Sequence, residues 1–152
     1  MLNTTLPIRI AYFQALTPLI VDGVEIPIYD EQVPQGITPP AFMDAYEAYV
    51  IITDQQEIET TNDKCNFRKD SNISLKVVTK FQGKAGRKMP VELINNAIQE
   101  RIHSFNTIIP QVSPSFQITR IRLSVNVFLP EYGLTETAFT YNMIFSNTIY
   151  QN

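Results

Sequence analysis

Three long stretches of this chain alternate apolar and polar side chains with a period of two, a pattern that fits strands burying one face. In Asn72 to Phe81, residues Ile73, Leu75, Val77, Thr79 and Phe81 fall on one side, and Asn72, Ser74, Lys76 and Lys80 on the other. In Phe116 to Leu129, residues Ile121, Leu123, Val125, Val127 and Leu129 share a face, opposite Arg120, Arg122, Ser124 and Asn126. In Thr137 to Ile149, residues Phe139, Tyr141, Met143, Phe145 and Ile149 are in phase. A turn from Pro130 to Gly133 joins the last two stretches into a hairpin. A fourth segment, Ala45 to Ile58, reads as a strand with Tyr46, Ala48, Val50 and Ile52 on one face and Tyr49 and Ile51 on the other. Apolar residues on both faces imply a central strand, or one whose outer face meets another subunit.

Two segments have helical spacing instead. Leu6 to Leu16 places Leu6, Ile10, Phe13 and Leu16 on one predicted buried stripe, with Thr4 and Thr5 as caps and Pro18 as the stop. Pro90 to Phe105 carries the stripe Val91, Ile94, Ile98, Ile102 and Phe105, with Glu92 in its first turn. Asp22–Gly23 signals a turn before a short strand, Val24 to Tyr29. Val33 to Pro40 has three prolines and a glycine and reads as an irregular loop. Glu59 to Ser71 is polar and aperiodic, which predicts a loop; Gln82 to Met89 predicts a basic, glycine-bearing one, and Pro110 and Pro114 bracket a turn. The resulting order is α-β-β-β-α-β-β: an α+β fold, a mainly antiparallel sheet with two helices packed on it. No repeat or linker divides residues 1–152, so a single domain is expected.

No apolar run approaches the roughly 18 residues of a membrane-crossing helix, so no membrane partner is expected. Met1 to Ile10 lacks the charged start and apolar stretch of a secretory leader, which points to a cytoplasm. Charge is unevenly distributed. From Met1 to Asp63 ten acids accompany one base, Arg9; from Lys64 to Arg101 nine bases accompany three acids. Such a division suits either head-to-tail contact between copies or neutralisation within one fold.

Candidate chemistry is sparse. His103 is the one histidine and falls near the end of the second helix, where a surface cation is favoured. Cys65 is the one cysteine; it has no disulfide partner and no base in view. Glu57 and Glu59 form a carboxylate pair on one strand face, more in keeping with a solvated strand end than with acid–base work. The loop Gly83–Lys84–Ala85–Gly86–Arg87–Lys88 lacks the upstream glycine and the Ser or Thr of a phosphate-binding loop. Phe139, Tyr141 and Phe145 share their face with Met143 and Ile149, so they read as core and not as a base-stacking platform. The sequence thus predicts no catalytic residue, no metal and no cofactor.

The succession of elements resembles a known family. A helix precedes a short strand ending in tyrosine, Ile26–Pro27–Ile28–Tyr29, and an acidic, proline-bearing stretch, Asp30 to Pro40. An aromatic-led strand follows, Ala48–Tyr49–Val50–Ile51–Ile52; then come a polar loop, a strand, a glycine-containing turn, the helix Pro90 to Phe105 and a closing hairpin. This resembles the tail-completion or tail-terminator proteins of tailed bacteriophages and the related neck-ring proteins. The likeness covers nearly the whole chain but rests on element order and short segments. Glu59 to Ser71 and the final hairpin are longer than the family leads one to expect.

The resemblance implies a non-enzymatic virion protein, assembled in the host cytoplasm. It implies a ring of six or twelve copies at the head–tail junction, neighbouring portal, connector and tail proteins, with DNA passing through. It transfers no catalytic residues. Lys76, Lys80, Lys84, Arg87 and Lys88 are the expected subunit or channel contacts, and Asp30, Glu31, Glu57 and Glu59 the acidic partner face. Two rival readings stand beside this one. The first is a small module docking a peptide or nucleic acid through its basic loop; the second is an enzyme subunit whose site is shared between chains.

Overall fold

A computed structural model describes residues 4–63, 66–105 and 116–151. Its elements are α1 (Thr5–Leu16), β1 (Leu19–Val21), β2 (Val24–Ile26), β3 (Ile28–Asp30), β4 (Glu47–Asp63), β5 (Asn66–Gln82), α2 (Met89–Phe105), β6 (Phe116–Tyr132) and β7 (Glu136–Gln151). The fold is α+β, as the sequence predicts. A five-stranded sheet runs β3-β4-β5-β7-β6, antiparallel except where β3 joins β4. The expected order holds, with its first strand, Val24 to Tyr29, divided into β2 and β3, and with an unpredicted short strand, β1, before the turn. Pro27 supplies no N–H and separates β2 from β3. The turn Asp22–Gly23 has positive φ at both residues, 49° and 80°, which closes the two-residue hairpin β1–β2.

The segment from Glu59 to Ser71 corrects the sequence reading. Its described residues, 59–63 and 66–71, are strand: β4 and β5 stay paired from Glu47↔Lys80 out to Asp63↔Asn66. Ladder hydrogen bonds need no apolar side chains, and alternation reveals only strands with a buried face. Cys65 and the turn at Pro110 and Pro114 lie outside the described residues, as does the side chain of Phe105.

Both helices cover one face of the sheet. Buried against them are Ala48, Val50 and Ile52 of β4, Ile73, Leu75, Val77 and Phe81 of β5, and Phe139, Tyr141, Met143, Phe145 and Ile149 of β7. Val91, Ile94, Ile98 and Ile102 of α2 meet them, as their spacing predicts. For α1 the predicted stripe is wrong except at Leu16. Ile8, Tyr12, Ala15 and Leu16 are buried, whereas Leu6, Ile10 and Phe13 remain 63%, 47% and 40% exposed. The helix is apolar nearly all round, so two stripes satisfy the same periodicity, and packing selects one.

Strand β6 departs from simple alternation as well. Register shifts between Ile118 and Arg120 and between Leu123 and Val125 mark two bulges, each adding a residue opposite β7. An extra residue inverts the facing of everything after it. Ile118, then Ile121 and Leu123, then Phe128 pack against the core. Val125, Val127 and Leu129, predicted to face inward with Ile121, instead point away and are 37%, 45% and 43% exposed. Asn126, predicted to face outward, turns inward and exchanges hydrogen bonds with Asn95 of α2, at 2.8 and 3.3 Å. The strand also continues through Pro130 to Tyr132, beyond its predicted end at Leu129; as an edge strand it tolerates proline.

One polar node crosses the core. The Tyr12 hydroxyl donates to Asn147 Oδ1 at 2.5 Å, and Asn147 Nδ2 donates to the Ser71 carbonyl at 2.9 Å. Burial raises the Tyr12 phenol above its usual range, opposed by its bond to Asn147, so it stays a neutral donor. Tyr12→Phe leaves that amide oxygen without its donor in a sealed site. The expected loss is about 1–3 kcal/mol, read from urea unfolding midpoints at unchanged slope; an unchanged midpoint contradicts the node's role.

Candidate assembly surfaces

Arg9 organises the first surface. It projects from α1 with its side chain 15% exposed and bonds both Asp30 and Glu31, the latter at 3.0 Å. Its guanidinium also donates to the carbonyls of Ile52 and Thr53 at 2.5 and 2.8 Å, and to Gln55 Oε1 at 3.2 Å. Those acceptors lie at the irregularity of β4 between Ile52 and Gln55, where the ladder leaves carbonyls to be satisfied. Asp30 and Glu31, expected on an acidic partner face, are therefore engaged inside the subunit. Around this clamp Leu6, Ile10, Phe13, Gln14 and Ile52 form an open groove.

Glu57 performs a second internal task. Thr4 occupies the N-cap position but makes no side-chain cap bond to its own helix. Its N–H donates to Glu57 Oε1 at 3.0 Å, and its hydroxyl donates to the same oxygen. Lys69 Nζ completes the cluster, 2.8 Å from Glu57 Oε2. A carboxylate at a helix N-terminus satisfies orphan N–H groups and opposes the helix dipole. Glu59 lies two residues on along β4 and is exposed. Partial burial pushes the Glu57 carboxyl up, but hydrogen bonds from Lys69 and Thr4 outweigh it and hold the group below its ordinary value. A depressed folded pKa adds stability above the unfolded carboxylate range, and that stability is lost as pH falls through the folded value. Glu57→Gln should therefore flatten the acid limb of the stability profile below about pH 5. Thermal melts between pH 3 and 7 test this; identical limbs in both proteins refute it.

The basic residues are divided between tasks. Lys80 is ion-paired with Glu47 at 3.8 Å and Glu136 at 3.6 Å, and lies over the Tyr49 ring. Burial lowers the Lys80 ammonium, but Tyr49, Glu136 and Glu47 outweigh it and raise the group overall. Tyr46 joins the same cluster: its bond to Glu136 and partial burial push its phenol up to about 12. Arg87 pairs with Asp44 at 2.7 Å, and Lys88 with Glu92 at 3.0 Å while lying over the Phe128 ring. Lys76 and Lys84 are exposed, Lys76 on the face of the sheet away from the helices.

The loop carrying Lys84 is held in place. The Gly83 N–H donates to the Thr135 carbonyl at 2.9 Å, and the Thr137 hydroxyl donates to the Gly83 carbonyl at 2.7 Å. Gly86, at φ +151°, sits where a Cβ would press on Phe81 at 3.1 Å and Phe139 at 3.3 Å. Acidic first half and basic middle thus meet within one subunit, through Glu47–Lys80, Asp44–Arg87 and Glu57–Lys69.

His103 is exposed in the last turn of α2. Among the described residues no group of three His, Cys, Asp or Glu side chains gathers as a metal site requires. Among the described residues no helix is long and apolar enough to cross a membrane. No protein-family model matches this chain, and no curated protein matches it.

The sequence reading missed the surfaces that the fold leaves uncovered. These are the outer stripe of α1, the outward row Val125, Val127 and Leu129 on β6, and the turn residues Tyr132 and Leu134, 71% and 85% exposed. The first was read in the sequence, but as the buried stripe, and the stripe that packs inward, Ile8, Tyr12 and Ala15, was not. The second depends on a bulge, which alternation cannot show.

Proposed function

We propose that this chain is a structural virion protein of a tailed bacteriophage. In this reading it forms a homo-oligomeric ring at the head–tail junction, as a neck or tail-terminator component through which DNA passes, next to portal, connector and tail proteins. The observation that carries the assembly part is the double-sided apolar character of α1. A twelve-residue helix buries Ile8, Tyr12, Ala15 and Leu16 in its own subunit and leaves Leu6, Ile10 and Phe13 in water. An exposed apolar stripe beside an open groove is what a neighbouring subunit covers. The place in the virion rests on the family resemblance alone.

The rival reading, a module docking a partner through its basic loop, has less support. Two of that loop's three cations, Arg87 and Lys88, are occupied by Asp44 and Glu92, and the loop is pinned to the turn before β7.

The test is mass. Light scattering over a range of concentrations, with negative-stain images, should give particles of six or twelve subunits. Leu6→Ser combined with Ile10→Ser and Phe13→Ser should reduce them to monomers, with an unfolding midpoint closer to that of the parent than core substitutions would give, because these side chains lie outside the buried core. Rings that survive the triple substitution overturn the α1 interface. A parent protein that stays monomeric, alone and with purified tails, overturns the ring.

A further inference from the structure

The sheet face turned away from the helices carries a cluster that the reading above does not use. At the end of that face formed by the outer part of the β4–β5 hairpin and the start of β6, a cleft is lined by Arg68, Arg120, Arg122, Asn72, Ser146 and Thr148, with Asp70 and Ile58 at its side. Register places these residues in rows: Arg120 opposite Thr148, which is opposite Asp70; and Arg122 opposite Ser146, which is opposite Asn72.

The two bulges of β6 put the arginines there. Between the shifts at Thr119 and Ser124 the facing of the strand is inverted relative to both flanks. Ile121 and Leu123 are thereby delivered to the core, and Arg120 and Arg122 to the open face beside Arg68. Without the first bulge, the parity set by the core-facing Ile118 would drive both arginines under α2. Bulges that re-aim side chains in this way are characteristic of functional surfaces.

The charges in the cleft are poorly compensated. Asp70 is its one carboxylate, 3.9 Å from Arg68 and also accepting from the Thr148 hydroxyl at 3.3 Å. Arg120 and Arg122 are exposed and have no ion-pair partner among the described residues. Arg68 Nε is sealed from solvent and meets no acceptor among the described residues. Three guanidiniums with neighbouring hydroxyl and amide groups match the geometry of phosphate oxygens.

We infer that this cleft is a phosphate-contact site for the backbone of double-stranded DNA. It rests on the reading of a ring traversed by DNA, and assigns the contact to Arg68, Arg120 and Arg122 in place of the loop from Gly83 to Lys88. Contacts of this kind position the duplex without reading its sequence. A single carboxylate among the three arginines keeps each contact weak.

The experiment is fluorescence anisotropy of the full chain with a labelled 30-base-pair duplex across a salt series, with light scattering on the same samples. The parent should bind with a log–log salt slope of about −0.9 per phosphate contacted. Arg120→Gln with Arg122→Gln should weaken binding roughly tenfold and reduce the slope by about two, with particle mass unchanged. Lys84→Gln, on the opposite loop, should change little. If the double variant loses its circular dichroism, Arg122→Gln alone is read, with a slope change of about one.

Rings that bind no duplex, or a double variant that binds as the parent does, overturn this site and leave the ring reading intact. Equal loss with Lys84→Gln overturns it too, since binding is then diffuse. Loss of particle mass in the double variant overturns it in favour of an acidic surface on a neighbouring copy. A monomer that binds duplex with the expected arginine dependence supports the site and counts against the ring.

Discussion

The helices cover only one face of the five-stranded sheet, and the rest of the molecule follows from keeping most of its apolar side chains on that face. Strands of 16 or 17 residues accumulate phase errors easily, because a slip of one residue exchanges the two faces. β5 and β7 keep strict alternation and form the centre of the core. β4 and β6, on either side of them, absorb the misfit through irregularities, at Ile52–Gln55 and Glu59–Thr61 in one and at Ile118–Arg120 and Leu123–Val125 in the other. Two of these irregularities have a specific side-chain partner. Arg9 satisfies the carbonyls on β4, and the Ser124 hydroxyl, at the second β6 bulge, donates to the Ile144 carbonyl at 3.0 Å.

The polar residues inside the covered layer act as locks between elements. Asn147 joins α1 to β5 through Tyr12 and the Ser71 carbonyl, and Asn95 joins α2 to β6 through Asn126. Neither joins neighbours in sequence. Each costs desolvation in any alternative packing of helix on sheet, so a helix rotated by one turn would strand an amide in an apolar layer. That selectivity matters most for α1, whose two apolar stripes would otherwise compete for the same core.

Much of this architecture was legible in the residues. The periods of two in β5 and β7 located the core strands and their inner faces, and α2 buried its spaced aliphatics as expected. Three features were not legible. The polar arm beyond Glu59 is strand because its backbone pairs, and pairing leaves no mark in hydropathy. The buried side of α1 was undecidable because Leu6–Ile10–Phe13 and Ile8–Tyr12–Ala15 are equally regular. The outer half of β6 was misread because one residue inserted at Ser124 reversed it, turning Asn126 to the helix side of the sheet, where it meets Asn95 while staying exposed. The candidate site was harder still. Arg120 and Arg122 looked like the solvent side of an ordinary strand, while the basic loop from Gly83 to Lys88, more conspicuous in the sequence, is largely neutralised by Asp44 and Glu92.

The length of the paired strands has a mechanical consequence. The ladder between β5 and β7 runs from Arg68↔Tyr150 to Gln82↔Glu136 without a register break. A pull directed along these strands loads the whole ladder in shear, so many hydrogen bonds must yield together. A pull across them would peel the bonds one at a time. The centre of the sheet is therefore stiffest along the strand axis. Compliance is concentrated at the bulged strands on either side, where the sheet can flex while its central pair holds its length.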